Sequence, residues 1–250
     1  MMYAQALEEM IDCCNDISAL MERLIQKAFL KVQRAYFRAK GNLSFDNGER
    51  TSIVVPRYRD IEDANGNVVE KGKLRLSEQE FRFAFVEAFN ELCNDTNLCY
   101  SVETPTKDKY LFSKGNTSDE WGLDASVPCI TKYGESGNID LVIYDNQEIA
   151  ALIEFKAGNP DIVDYEKDFV KLTNIKESSE NVQRYFLQIV ESSDEGTIRN
   201  IKEKKLDEIA KKTKDEKNIL SVKYRCYSLS HKGEQTERPI YKNDSFIFPN

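Results

Sequence analysis

Histidine is almost missing from this chain: its 250 residues carry one, His231. The six cysteines (Cys13, Cys14, Cys93, Cys99, Cys129, Cys226) contain no C-x-x-C pair. Without that spacing, and with a single imidazole, a zinc site has no ligand pattern to rest on. A lone histidine in a polar C-terminal stretch also argues against Ser-His-Asp or Cys-His catalysis. No apolar run approaches the ~20 residues that span a bilayer, which predicts no membrane partner. The opening MMYAQALEEMIDCC has neither the basic nor the apolar region of a secretory signal. Scattered thiols without such a signal point to a reducing cytoplasm. A basic surplus is lacking too. The net charge of −8 argues against a protein that coats nucleic acid non-specifically, though it leaves room for one basic face.

What remains describes an ordinary globular protein, 40% hydrophobic and 31% charged, with length for one sizeable α/β domain plus an appendage or for two small domains. Residues 2–40 read as helix, with Met10, Cys13, Cys14, Ile17, Leu20, Met21, Leu24 and Ala28 recurring at three- and four-residue steps. Its charge passes from acidic (Glu8, Glu9, Asp12, Asp16) to basic (Lys27, Lys31, Arg34, Arg38, Lys40), the order that suits the helix dipole. Residues 41–76 read as a β-hairpin linker or flap around Asn65-Gly66, a two-residue turn signal. Arg57, Arg59, Lys71, Lys73 and Arg75 give it a basic surplus. Closing over a duplex is the sharper reading of that surplus; a solvated hairpin is the commoner one.

Residues 77–250 form the third segment. Its first helix, 77–94, opens with the S-x-x-E capping pattern of Ser77 and Glu80 and carries the stripe Phe81, Phe85, Ala88, Phe89, Leu92. Strands follow near 98–104 and in a hairpin over 138–157, then a helix over 161–174 and a strand over 184–192. A charged helix near 195–214, of the kind usually solvated, and a strand near 219–229 complete an α/β arrangement around a mixed sheet.

The hairpin GNIDLVIYDNQEIAALIEFKAG, 137–158, holds the chemistry. Alternation sends Ala151, Ile153 and Phe155 to one face of its second strand and Leu152, Glu154 and Lys156 to the other. Two charges on one face of a buried strand are costly unless they meet partners or a cation. A turn centred on Gln147 sets Asp140 opposite Glu154, two carboxylates whose repulsion a divalent cation relieves. A slip of one residue sends Asp140 to the wrong face, so the site depends on register.

This pattern, Ile-Asp, thirteen intervening residues, then Glu-x-Lys, resembles the PD-(D/E)xK nuclease superfamily. That family includes restriction endonucleases, Holliday-junction resolvases and recombination exonucleases. In it a Glu-bearing helix precedes a three-stranded meander whose second strand supplies the Asp and whose third supplies the (D/E)xK. Helix 77–94, strand 98–104, Asp140, and Glu154 with Lys156 follow that order, and Lys167, Asp168 and Leu172 are similar to a Lys-Asp-x-x-x-Leu run of some members. The likeness covers about residues 77–192, and Ile139 stands where the proline is usually written.

The resemblance implies a restriction-endonuclease-like core of order αβββαβ with an N-terminal helical extension. It implies Asp140, Glu154 and Lys156 as catalytic residues, joined by Glu80 or Glu87 from the helix, with Glu80 favoured. The metal, Mg²⁺ or Mn²⁺, falls to Asp140, Glu154, the Phe155 carbonyl and Glu80, with Glu103 a weaker candidate. Lys167, Arg57 and Arg59 are the expected nucleic-acid contacts. The function implied is a DNA endonuclease of restriction or anti-phage defence acting on double-stranded DNA, dimerised or docked to a defence partner through residues 1–40. The competing readings are a non-catalytic member that binds a protein partner, and an RNase using the same site.

Overall fold

The computed structural model describes residues 16–111, 129–130, 134–191, 195–209 and 220–229. The expectations for residues 1–15, for most of the irregular stretch up to 126, and for His231 lie outside them. Two compact units divide the chain, residues 1–96 and 97–250.

In the first unit, helix α1 (Ile17–Ala39) begins where the Asp16 carboxylate accepts the Ser18 N–H at 2.9 Å, an N-cap that satisfies one orphan donor. Its buried stripe, Leu20, Leu24, Ile25, Ala28, Phe29, Val32 and Tyr36, keeps helical spacing. The 41–76 segment forms strands over β1 (Ile61–Glu62) and β2 (Val68–Glu70), which are exposed and shorter than the alternation predicts, with an isolated antiparallel bridge between Arg57 and Leu74. The turn also differs from the expected two-residue form. Gly66 N–H bonds to the Asp63 carbonyl at 3.0 Å with Gly66 at φ +80°, while the Asp63 carboxylate accepts the N–H groups of Asn65 and Asn67. Side-chain capping by Asp63 favours this longer loop. Helix α2 (Glu78–Leu92) packs on α1 through Phe81, Ala84, Phe85, Ala88 and Phe89. The division after Thr96 therefore assigns the helix of Glu80 and Glu87 to the N-terminal unit, not to the third sequence segment.

The second unit is α/β: one mixed sheet, flanked by helices. Its strands are β3 (Leu98–Leu111), β4 (Cys129–Ile130), β5 (Glu135–Asp145), β6 (Glu148–Ala157), β7 (Gln183–Val190) and β8 (Lys223–Ser228), in the order β4-β3-β5-β6-β7-β8. β3, β5 and β6 form an antiparallel meander, and β6, β7 and β8 run parallel. The first parallel crossover is α3 (Ile162–Thr173). The second is α4 (Glu195–Asn200), which continues as a π-helical stretch, Ile201–Leu206. In the usual right-handed form, two such crossovers advancing in one direction lay their helices on one face. Tyr165, Phe169, Leu172, Ile201 and Leu206 accordingly share a core with Val142, Leu152, Phe186 and Tyr224. Phe186 stacks on Tyr165, Phe169 and Tyr224, with centroids 4.8–5.6 Å apart. Leu141, Ile143, Ala151, Ile153, Phe155, Leu187 and Ile189 are buried on the other face. Burial on both sides is why these strands read as near-continuous apolar runs.

β3 extends well past the expected residue 104 and is irregular between Pro105 and Lys109. The backbone donors freed there are met from afar: Glu177, after α3, accepts the N–H groups of Lys107 (2.9 Å) and Asp108 (3.1 Å) and the Tyr110 hydroxyl (3.0 Å).

The β5–β6 turn decides the register. Asn146 and Gln147 both have positive φ, +48° and +71°, the mark of a type I′ turn, and Asp145 pairs with Glu148 and Tyr144 with Ile149. That register alone leads Asp140 to Ile153. Beyond it Ile143 pairs with Ala151 and Leu141 with Ile153, so Ala150 is an extra, bulged residue. Carried one step past the last ladder pair, Leu141–Ile153, the shifted register sets Asp140 level with Glu154, and the Asp140 carboxylate accepts the neighbouring Phe155 N–H at 2.8 Å. The expected pairing is reached by a tight turn plus a bulge rather than by a turn centred on Gln147. Left-handed φ at a residue with a Cβ costs ~1 kcal/mol or more, so Gln147→Gly should stabilise the protein by about 1 kcal/mol in denaturant unfolding.

Candidate active site

β6 turns Leu152, Glu154 and Lys156 toward α3. On α3, Asp168 and Lys171 lie three residues apart beside the apolar stripe Tyr165, Phe169, Leu172, so the same face that anchors the helix also carries two charges inward. Lys171 Nζ lies 2.6 Å from Glu154 Oε1 and 3.1 Å from Asp168 Oδ1. It also donates to the Asn138 carbonyl at 2.8 Å. Lys156 Nζ lies 2.7 Å from Asp168 Oδ2. The four charges alternate in sign: Glu154, Lys171, Asp168, Lys156. Asp140 joins from β5, its Oδ2 accepting the Phe155 N–H at 2.8 Å. That bond runs across the hairpin and ties the Asp140 carboxylate to the strand that bears Glu154.

Burial sets the electrostatics. Glu154 is 1% exposed. Desolvation pushes its carboxyl well above the usual glutamate range, and the charges of Asp168 and Asp140 push it further, against the pull of Lys171. Burial by itself lowers Lys171, but the charges of Glu154 and Asp168 outweigh it and hold the ammonium above its ordinary value. With all five groups ionised, three carboxylates face two ammonium groups and the cluster carries one net negative charge.

Two neighbours brace the strand end. Gln188, beside Lys156 in the β6–β7 ladder, donates to the Tyr165 hydroxyl (2.5 Å) and the Gly158 carbonyl (2.6 Å) and accepts from Tyr224. Lys205, from the π-helical stretch, donates to Asn159 Oδ1 at 2.6 Å and to the Pro160 carbonyl, fixing the loop into α3.

The other predicted residues have partners of their own or sit at the margin of this cluster, each within its own unit. Glu80 closes the capping box of α2, its Oε2 accepting the Ser77 N–H at 2.8 Å and the Ser77 hydroxyl. Both oxygens of Glu87 are used in the first unit, by the Ser52 N–H and the Thr51 hydroxyl, each at 2.8 Å, with Lys31 at 3.7 Å. Arg57 donates to the carbonyls of Ala39 and Gly72, fastening the 41–76 segment rather than offering its fork outward. Arg59 is exposed. Lys167 sits 3.5 Å from Asp164 on the partly exposed side of α3. Phe155 is represented by its amide on Asp140 and by a ring buried on the opposite face. Glu103, exposed, takes φ +50° inside β3, between the pairs Val102–Leu141 and Thr104–Ile139 and so level with Asp140. Among the described residues, no three acidic, thiol or imidazole side chains are gathered tightly enough to define a metal site by themselves.

Sequence reasoning noted Asp168 only as part of a Lys-Asp-x-x-x-Leu run, without a partner, and passed over Lys171 and Gln188. The signal for the first two was present: D-x-x-K beside the apolar stripe of the helix that follows a strand bearing E-x-K. Such charges must point at the strand's own. Gln188 inside the apolar run RYFLQIV was a similar clue.

Comparison of the chain with protein-family models, with curated proteins and with solved structures finds no match. No helix among the described residues is long and apolar enough to cross a membrane.

Two outcomes follow from these placements. Glu80→Ala should lower stability by about 1 kcal/mol through loss of the cap, as read by denaturant unfolding. Folded Glu154 keeps its proton to higher pH than the unfolded chain does, whose glutamate titrates near 4.5. Above that pH the native state binds more protons than the unfolded one, so this residue's contribution falls as pH rises toward the elevated folded value. The Tm of Glu154→Gln minus that of wild type should therefore grow with pH across this window in calorimetric scans.

Proposed function

We propose that the second unit is a restriction-endonuclease-like core and that the protein is a Mg²⁺-dependent nuclease cleaving double-stranded DNA in the cytoplasm, in restriction or anti-phage defence. The observation that carries this reading is the bulge-set register that puts Asp140 across from Glu154, with Lys156 on the same face one dyad further along β6. The meander followed by a helix and a parallel strand supports the fold assignment. Free thiols at Cys93, Cys99 and Cys226 suit a reducing compartment.

The donor set fits a hard divalent cation. It offers carboxylate oxygens only, and its residual negative charge is what an oxygen-ligated Mg²⁺ or Mn²⁺ neutralises. Asp140 and Glu154 would hold the ion. Bound there, it supplies Lewis-acid polarisation of a phosphate and a more acidic water. The protein's own residues do the rest. Asp168 fixes the Lys156 ammonium, which faces negative charge building on the phosphate under attack. The Phe155 amide holds the Asp140 carboxylate in one orientation. Burial of Glu154 and Asp168 between β6 and α3 weakens the screening of their charges by bulk water.

A second reading has its own support. The buried charges compensate one another without any ion, and the chain is acidic overall at −8, which suits a non-catalytic member that binds a protein partner. Incubating the protein with plasmid, linear DNA and RNA, in Mg²⁺ or in EDTA, separates the readings. Nuclease activity should require Mg²⁺ and fall by about 10²–10³-fold or more in Lys156→Ala and in Asp140→Asn. Cleavage that survives both substitutions refutes the site, cleavage of RNA alone makes the protein an RNase, and none with any substrate favours the partner-binding reading.

A further inference from the structure

We infer that Lys171 is a built-in competitor of the divalent cation: its ammonium occupies Glu154 when no ion is bound and withdraws from it when one binds. The inference rests on reading Asp140 and Glu154 as cation ligands, and adds to that reading a residue that sets how tightly the ion is held.

An ammonium has three N–H donors and no acceptor. Lys171 has three oxygen neighbours: Glu154 Oε1 at 2.6 Å, the Asn138 carbonyl at 2.8 Å and Asp168 Oδ1 at 3.1 Å. With Lys171 only 7% exposed, these oxygens replace its hydration shell. Its contact with Glu154 is the shortest of the three. Glu154 is itself almost wholly buried, so its carboxylate cannot draw on bulk water or dissolved salt for compensation. In the ion-free protein that task falls to Lys171.

A divalent ion at the same carboxylate changes the balance. Two cations sharing one buried carboxylate repel strongly where water does not screen them. Lys171 is the one able to yield, being a flexible four-carbon stem ending in a point charge. On leaving Glu154 it keeps Asp168 and the Asn138 carbonyl, so it gives up one of three contacts. Asn138 lies two residues before Asp140 on β5, which leaves the displaced ammonium held beside the site. Lys156 pairs with the other oxygen of Asp168, Oδ2, at 2.7 Å. Glu154 is thereby compensated by Lys171 without an ion, and cation occupancy answers to the prevailing concentration.

The test is a Mn²⁺ titration of the EDTA-stripped full chain at pH 8, followed by calorimetry, on wild type, Lys171→Met and Lys171→Arg. The methionine variant removes the competitor and should bind Mn²⁺ about tenfold more tightly. The arginine variant keeps the charge and grips a carboxylate through two parallel N–H bonds, so it should bind about tenfold more weakly. Arginine preserves the ion pair, so it carries the test if the methionine variant does not fold. Weaker binding in both variants, or unchanged binding in both, overturns the competitor role while leaving the cation site standing. Wild type that takes up no Mn²⁺, or whose uptake is untouched by Asp140→Asn, overturns the site and the competitor together. Cleavage is not read, so a protein that binds Mn²⁺ in the expected order without cutting DNA sustains this inference and refutes the nuclease.

Discussion

Four charged side chains sit in the layer between β6 and α3, and the structure there depends on their neutralising one another. Glu154, Lys171, Asp168 and Lys156 are each bound to a neighbour of opposite sign, at distances from 2.6 to 3.1 Å. Such arrangements are poor stabilisers. Well-packed apolar side chains of similar volume usually serve a fold as well or better, while loss of a single partner strands a buried charge. A chain that keeps these groups in an otherwise apolar layer bears a burden that packing does not require, and sites of that kind are where function is expected.

The apolar surroundings make the charges directional. Tyr165, Phe169 and Leu172 seat α3 on the sheet through the Phe186 stack, and that seating fixes where Asp168 and Lys171 emerge. On the strand side, the Ala150 bulge chooses which residue faces Glu154. Phe155 serves both layers: its ring is buried on one face while its amide secures Asp140 at the hairpin's other strand. The hydrophobic and ionic parts of the site are therefore one construction.

Most elements of the second unit were legible because their patterns are local. Alternation in 148–157, the apolar stripe of 161–174 and the run 184–192 each report a period that burial enforces. The register of Asp140 against Glu154 was also anticipated, though through the wrong turn, because sequence does not announce a bulge whose extra residue is an ordinary alanine. The acids of helix 77–94 show the limit most clearly. Glu80 satisfied two patterns at once, a cap and a family position, and its carboxylate is engaged in the cap. Glu87 looked available because Thr51 and Ser52, which use it, lie 35 or more residues away in sequence. Lys171 was passed over although D-x-x-K beside the apolar stripe turned it inward, because its partners Asn138 and Glu154 lie on β5 and β6, far from it in sequence.

The Glu177 carboxylate reaches back some seventy residues to the amides of Lys107 and Asp108. During synthesis, β3 can leave the ribosome and meet β5 and β6 long before the residue that secures its irregular middle has been translated. Until then the nascent sheet carries an unfinished border with open amide groups, the kind of surface to which other chains adhere. Completion of that border is tied to the arrival of the segment after α3, so the middle of β3 stays open to other chains until that segment has been made.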